Sequence, residues 1–114
     1  MSSVQSMIEF ADKFEDLVQD QSKWSQETFG SDAERGPAGA LKHLAKEATE
    51  AVEAIGTEHL EEELADCFLL ILDAARRARV KPMALVEAAQ RKMVVNRSRT
   101  WPTPVPDEPV EHIQ

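Results

Sequence analysis

The sequence lacks the features that mark secreted, membrane-bound and nucleic-acid-binding proteins. It has one cysteine, Cys67, so it cannot form an internal disulfide, which fits a reducing compartment. No apolar run approaches the roughly 20 residues of a membrane span, and the first residues include acids where a leader would be apolar. Basic residues are outnumbered, and a net charge of −8 argues against nucleic acid or an anionic membrane as partner. We therefore expect a cytoplasmic protein.

The sequence also lacks the alternating apolar pattern of β-strands. Apolar residues recur instead at helical spacing, which predicts an all-α fold, a bundle of four to five helices. Helices are expected over residues 3–21, 37–55, 58–79 and 82–96, with a short segment over 24–29. The length of 114 residues suits one helical domain, over 1–100, followed by an extended proline-rich tail over 101–114.

The second and third helices are predicted to form an antiparallel hairpin. Gly56 supplies a left-handed end for the second helix, and Thr57 is a candidate N-cap for the third. A connection this short leaves the two helices side by side.

Four carboxylates occupy matching positions on this hairpin. Glu47 and Glu50 lie three residues apart, as do Glu63 and Asp66, so each pair shares a helix face with about 4.5 Å between its members along the axis. A chain that folds back near Gly56 brings Glu50 beside Glu63 and Glu47 beside Asp66. The sequence thus predicts two facing pairs of acids.

Converging carboxylates repel one another unless a cation or protons neutralise them. A site with oxygen ligands only favours Mg²⁺ or Mn²⁺. The alternative is that the four acids are ordinary solvated side chains of a Glu-rich helix pair. The matched register argues against this alternative, and so does the apolar segment around Asp66, where burial of an unpaired carboxylate would be costly.

Two further residues share faces with these acids. Asp73 lies on the same stripe as Glu63 and Asp66, so it either binds metal or pairs with Arg77, and the ion pair is favoured. His43 precedes Glu47 by one turn on the same face, so it contacts phosphate, supports the carboxylate ligands from behind, or lies on the surface.

A basic stripe follows on the last predicted helix. Lys92, Asn96 and Arg99 are spaced to lie on one face near its end, where they suit the outer phosphates of a nucleotide or simply the negative end of the helix dipole. Trp24 is a candidate to stack on a base, although burial in the core would explain it equally well.

Taken together, these residues resemble the MazG-like all-α nucleoside triphosphate pyrophosphohydrolases. The resemblance rests on Glu47-x-x-Glu50 and Glu63-x-x-Asp66, followed by Lys92, Asn96, Arg99 and Trp101-Pro102. Further stretches look like the phage and prophage dATP/dGTP diphosphohydrolase subgroup, which is MazZ-like. These stretches are Lys23-Trp24-Ser25-Gln26-Glu27-Thr28-Phe29-Gly30, Gly39-Ala40-Leu41-Lys42-His43-Leu44, Lys46-Glu47 and Pro106-Asp107-Glu108-Pro109-Val110-Glu111-His112.

The resemblance implies a homodimer or homotetramer that cleaves purine nucleoside triphosphates, dGTP or dATP, between the α- and β-phosphates, in the bacterial host cytoplasm if phage-encoded. It implies that Glu47, Glu50, Glu63 and Asp66 form the catalytic metal site, with Mg²⁺ or Mn²⁺ as cofactor. The residues expected to bind substrate are Lys92, Asn96, Arg99, Trp24 and His43. The alternatives are a pyrimidine or damaged-nucleotide pyrophosphohydrolase, and a non-catalytic acidic helical module that binds a partner protein.

Overall fold

The computed structural model describes residues 3–113 and confirms the predicted all-α fold. Four helices and no strand occur in this part of the chain. They are α1 (Val4–Phe29), α2 (Ala38–Glu53), α3 (Leu60–Arg77) and α4 (Pro82–Ser98). Within residues 3–113, no helix combines the length and the apolar character needed to span a bilayer.

The first helix is longer than predicted. It starts at its N-cap, Ser3, whose hydroxyl accepts the backbone N–H of Ser6 at 3.1 Å. It then continues without a break to Phe29, so the separate segment expected over 24–29 is wrong. No proline or glycine interrupts this stretch, and the helix ends only where Gly30 adopts a φ of 108°.

The hairpin of α2 and α3 forms as predicted, with a different start for α3. Gly56 takes the left-handed conformation expected of it, at a φ of 84°. Thr57 does not cap α3, which begins at Leu60. Its hydroxyl donates to the Ala54 carbonyl at 2.7 Å and accepts the His59 N–H at 3.1 Å, so Thr57 tightens the turn instead. Helix α2 packs mainly on α3, and α1 packs on α3 as well.

The buried core is small and partly polar. It consists of short or apolar residues from α2 and α3 together with three polar side chains. The buried residues are Ala40, Ala51, Leu72, Ala74, Ser25, Asp73 and Arg77. Large apolar side chains remain exposed on α1 and α3, including Ile8, Leu64 and Phe68. The described chain therefore does not cover its own apolar faces.

The chain divides into two compact units, with the boundary between Pro82 and Met83. The helical domain over 1–100 and the tail over 101–114 stay predictions. In the second unit, α4 is followed by a segment without helix or strand up to residue 113. This segment turns back on itself, because the Ile113 N–H donates to the Thr100 carbonyl at 2.7 Å.

Candidate functional site

Three of the four predicted carboxylates meet between α2 and α3. Glu47 and Glu50 project from one face of α2, and Glu63 faces them from the first turn of α3. One oxygen from each of the three carboxylates lies within 4.8 Å of the other two. The i, i+3 spacing and the short turn of the hairpin produce this cluster, as the sequence predicts.

The electrostatics of the cluster fit a divalent cation. Contact with the Glu50 carboxylate, burial, and the charges of Glu50, Asp66 and Glu63 raise the pKa of Glu47. Oε2 of Glu47 and Oε2 of Glu63 are buried and have no hydrogen-bond partner among the described residues. Buried carboxylate oxygens without donors are costly. A hard cation that prefers oxygen ligands would satisfy both oxygens, so the residues present suit Mg²⁺ or Mn²⁺.

Asp66 lies one turn after Glu63 on α3, outside the group of three within 4.8 Å. Its side chain is exposed, so the expectation that an apolar segment would bury it is wrong. The neighbouring helices leave this side of α3 uncovered. Asp66 is nevertheless close enough for its charge to raise the pKa of Glu47. Its part in binding metal stays a prediction.

Two other side chains adjoin the cluster. His43 Nε2 lies 3.1 Å from Glu47 Oε1, one helical turn away, so the imidazole is joined to the cluster by a hydrogen bond. Cys67 is half-buried on α3, and burial followed by the negative charges of the cluster raises the pKa of its thiol. A thiol held in its protonated form is a poor nucleophile, which agrees with a packing role.

A cavity of about 70 Å³ lies next to His43. Its walls come from the end of α1, the loop after it, the first turns of α2, and α3. The lining residues are Phe29, Arg35, Gly39, Ala40, His43, Leu70 and Asp73. Trp24 is not among them, but its indole packs edge to face on the Phe29 ring at 5.3 Å. Trp24 is 57% exposed, so the alternative that the core buries it is wrong, and its stacking on a base stays a prediction.

A buried network of ion pairs adjoins this cavity through Asp73, which lines it. Asp73 pairs with both arginines that follow it on α3, with Arg76 at 2.7 Å and Arg77 at 3.0 Å. The favoured interpretation of Asp73 as an ion-pair residue is therefore confirmed. Gln21 also donates to Asp73 at 2.9 Å, and hydrogen bonds of this kind hold the pKa of Asp73 far below its usual range despite burial.

The network also reaches the loop between α1 and α2. No sequence pattern predicted this contact. Arg76 Nε donates to Asp32 at 2.9 Å. Arg77, almost fully buried, donates to the Gly30 carbonyl at 3.0 Å and to the Ser25 hydroxyl at 2.9 Å. These partners could not be predicted from residue spacing, because the loop residues and the arginines lie more than 40 positions apart in the sequence.

The predicted basic stripe lies in the second unit. Lys92 is exposed on α4, and Asn96 and Arg99 are half-buried at its end. The Trp101 indole N–H donates to the Asn96 carbonyl at 2.8 Å, and the His112 ring packs on Trp101 at 5.9 Å. The folded-back segment therefore holds the end of α4 that carries the predicted phosphate ligands.

The family model for dATP/dGTP pyrophosphohydrolase matches residues 17–114 of the sequence. The chain belongs to this family. The recognised resemblance is thereby confirmed, and the protein is a metal-dependent nucleotide pyrophosphohydrolase. Membership sets aside the alternative of a non-catalytic helical module.

A solved structure agrees with the family. The pyrophosphohydrolase chain is similar to the cyanophage S-2L MazG-like pyrophosphohydrolase, which was solved bound to dGDP and three catalytic Mn²⁺ ions per active site. The sequences are 27% identical, the match covers 87% of this chain and 91% of the cyanophage chain, and the TM-score is 0.65. No curated protein matches the sequence significantly. The Mn²⁺ ions of this relative and the carboxylate cluster confirm the predicted cofactor class, Mg²⁺ or Mn²⁺.

Proposed function

We propose that this pyrophosphohydrolase cleaves purine deoxynucleoside triphosphates, dGTP or dATP, to the monophosphate and pyrophosphate. The observation that carries the proposal is the cluster of Glu47, Glu50 and Glu63, in which two buried oxygens lack a partner among the described residues. The family match and the dGDP bound by the cyanophage relative support the purine preference.

The proposed metal ligands are Glu47, Glu50, Glu63 and Asp66. Mg²⁺ is the proposed physiological ion, and Mn²⁺, with the same preference for carboxylate oxygens, is its expected substitute. A bound ion supplies charge that polarises the triphosphate and lowers the pKa of a water molecule. Glu50 is proposed to accept a hydrogen bond from the attacking water and so to orient it, and the exposure of Glu50 supports this role.

In the reaction, the water oxygen bonds to the α-phosphorus, and the bond from that phosphorus to the bridging oxygen of the β-phosphate breaks. Lys92 and Arg99 are proposed to neutralise charge on the departing pyrophosphate, and Asn96 to bond to phosphate or sugar. His43 is proposed to bind substrate beside the carboxylates, because its ring already contacts Glu47.

We further propose that the working enzyme is a homodimer or homotetramer. The exposed apolar side chains of α1 and α3 support this proposal, since a second copy would remove them from water.

The test is pyrophosphate release from all eight standard nucleoside triphosphates, with Mg²⁺, with Mn²⁺ and with a chelator. We expect the highest kcat/KM for dGTP or dATP and no turnover in the chelator. If dUTP or dCTP were better than both purines by tenfold, about 1.4 kcal/mol in the transition state, the purine preference would be wrong. If no nucleotide released pyrophosphate with either metal, the proposed activity itself would be wrong.

A further inference from the structure

The cavity beside His43 contains one cationic group that its neighbours do not engage. Arg35 lines the wall, yet its guanidinium has no hydrogen bond or ion pair with any residue in the described range 3–113. The other charged or ionisable side chains of the wall already have partners. Asp73 accepts from Gln21 and from the arginines of α3, and His43 is bonded to Glu47 through Nε2. Arg35 is therefore the cationic side chain of this wall whose donors have no partner among residues 3–113.

The fold holds the loop that carries Arg35. The Arg77 side chain, 1% exposed, donates to the carbonyls of Gly30, Ser31 and Arg35 at 3.0, 3.4 and 3.4 Å. The same guanidinium is paired with Asp73, which anchors it to α3. A buried arginine thus contacts the backbone at both ends of the segment 30–35, so the backbone position of Arg35 is held by the core while its side chain is exposed.

The guanidinium of Arg35 packs closely over the first turn of α2. A Cβ placed on Gly39 would overlap Nη2 of Arg35 and would lie 3.2 Å from its Cζ. The absence of a side chain at residue 39 therefore gives the guanidinium its place on the wall. Gly36, in the same loop, has no atom within 4 Å of such a Cβ, so the requirement is specific to Gly39.

We propose that Arg35 is a specificity-determining residue, which binds the edge of a purine base that carries two adjacent acceptors, as guanine does at O6 and N7. The proposal rests on the proposed function. A guanidinium offers two parallel donors that match those acceptors, whereas adenine places an amino donor where guanine has O6. Arg35 thereby favours dGTP over dATP.

The walls of the cavity suit a base better than a phosphate. Phe29, Leu70 and Ala40 are apolar and offer an aromatic ring and methyl groups to a flat heterocycle. At about 70 Å³ the cavity is too small to enclose a whole nucleotide, but it can receive one edge of a base. A phosphate at this place would lose its hydration against apolar walls and find one free cation.

The test compares Arg35→Ala and Arg35→Lys with the wild-type enzyme on dGTP, dITP and dATP. We expect Arg35→Ala to lower kcat/KM at least about tenfold for dGTP and for dITP, which keeps O6 and N7, and less than about threefold for dATP. Arg35→Lys should not restore the preference, since an ammonium keeps the charge but lacks the paired donors.

A glycine pair provides the matched control. Gly39→Ala, which displaces the guanidinium, should lower the dGTP to dATP ratio of kcat/KM, whereas Gly36→Ala should leave it unchanged. Calorimetric binding of dGMP and dAMP to the same variants should show the same selective loss without turnover.

Equal losses on all three substrates, rescue by lysine, or an unchanged ratio in Arg35→Ala would each overturn the assignment of Arg35. These results would leave the proposed function standing as long as the wild-type enzyme releases pyrophosphate. Absence of that release from the wild-type enzyme would instead overturn the proposed function.

Discussion

At the scale of the residue, the carboxylate cluster is a source of strain in the metal-free protein. The pKa of Glu47 is raised because the Glu50 carboxylate, burial and nearby negative charges all disfavour its ionised form. As the pH rises through that pKa, ionisation of Glu47 lowers the stability of the metal-free fold. The negative charge that destabilises the metal-free cluster also attracts a divalent cation.

Substitutions that remove one charge from the cluster separate its effect on stability from its effect on metal-dependent turnover. We expect Glu50→Gln and Asp66→Asn each to lower kcat by roughly a hundredfold or more, since loss of charge stabilisation in a transition state costs about 3 kcal/mol. The metal-free variants should unfold at the same temperature as the wild-type protein or above it. Pyrophosphate release and thermal unfolding measure the two effects.

Glu61→Gln is the control for this comparison, because Glu61 lies exposed in the first turn of α3 outside the cluster. Its turnover should be nearly that of the wild-type enzyme. Near-normal turnover in Glu50→Gln or Asp66→Asn would remove that residue from the metal site.

Helical spacing was sufficient to predict that Glu47, Glu50 and Glu63 converge, because residues three apart share a face and a short turn sets the register. It could not predict their burial. Asp66 is exposed although its neighbours in sequence are apolar, since exposure depends on which helix packs alongside. No sequence pattern predicted a binding role for Arg35, because its place in the cavity depends on contacts with Arg77 and Gly39 that no local pattern encodes.

At the scale of the element, the ion network joins α3 to α1 and to the loop between α1 and α2. Asp73 accepts hydrogen bonds from Gln21 on α1 and from Arg76 and Arg77 on its own helix. Arg76 in turn holds Asp32 of the loop. The helices themselves were largely predictable from periodicity, glycine and proline. The contacts by which this network joins α3 to α1 and to the loop were not, because they join residues more than 40 positions apart.

The network should contribute measurably to stability. We expect Asp73→Asn to lower the free energy of unfolding by about 3 kcal/mol, since it removes the closer counter-charge of the buried Arg77 and leaves Asp32, 3.6 Å away, as its partner. The pKa of Asp73 is depressed in the folded protein. Its contribution is therefore fully present above the unfolded pKa near 4 and is lost as the pH falls from there through the folded pKa.

Urea unfolding of the wild-type and Asp73→Asn proteins between about pH 7 and pH 3 measures this difference. The gap in unfolding free energy should be constant down to about pH 5 and should shrink below about pH 4. A gap that grew on acidification would contradict the assigned direction of the pKa shift. Glu34→Gln, on the exposed part of the loop, provides a comparison outside the buried network.

At the scale of the whole molecule, many large apolar side chains stay exposed in the described chain, and few are buried. Leu64 and Ile8 are 55% and 49% exposed, although they lie on the helices that form the core. A chain of this length has limited capacity to bury a core alone, and association supplies additional burial. The sequence of α3 is apolar on nearly every side from Leu64 to Leu72, which also favours association.

Self-association can be measured directly. We expect light scattering at micromolar concentration to give the mass of a dimer or a tetramer, and Leu64→Glu to shift the mass towards that of a monomer by placing a charge on the exposed face. A monomer mass for the wild-type protein would refute the oligomer. An unchanged mass in Leu64→Glu would move the interface elsewhere.

The hairpin that carries the carboxylates also sets how the site tolerates changes in chain length. An α-helix advances about 100° per residue. One residue inserted between Glu63 and Asp66 would rotate Glu63 by about 100° relative to the rest of α3 and turn it away from Glu47, although every side chain would still be present. The same insertion before Leu60 falls in the turn, which can lengthen without rotating either helix. In this hairpin, the location of a length change therefore matters more than its size.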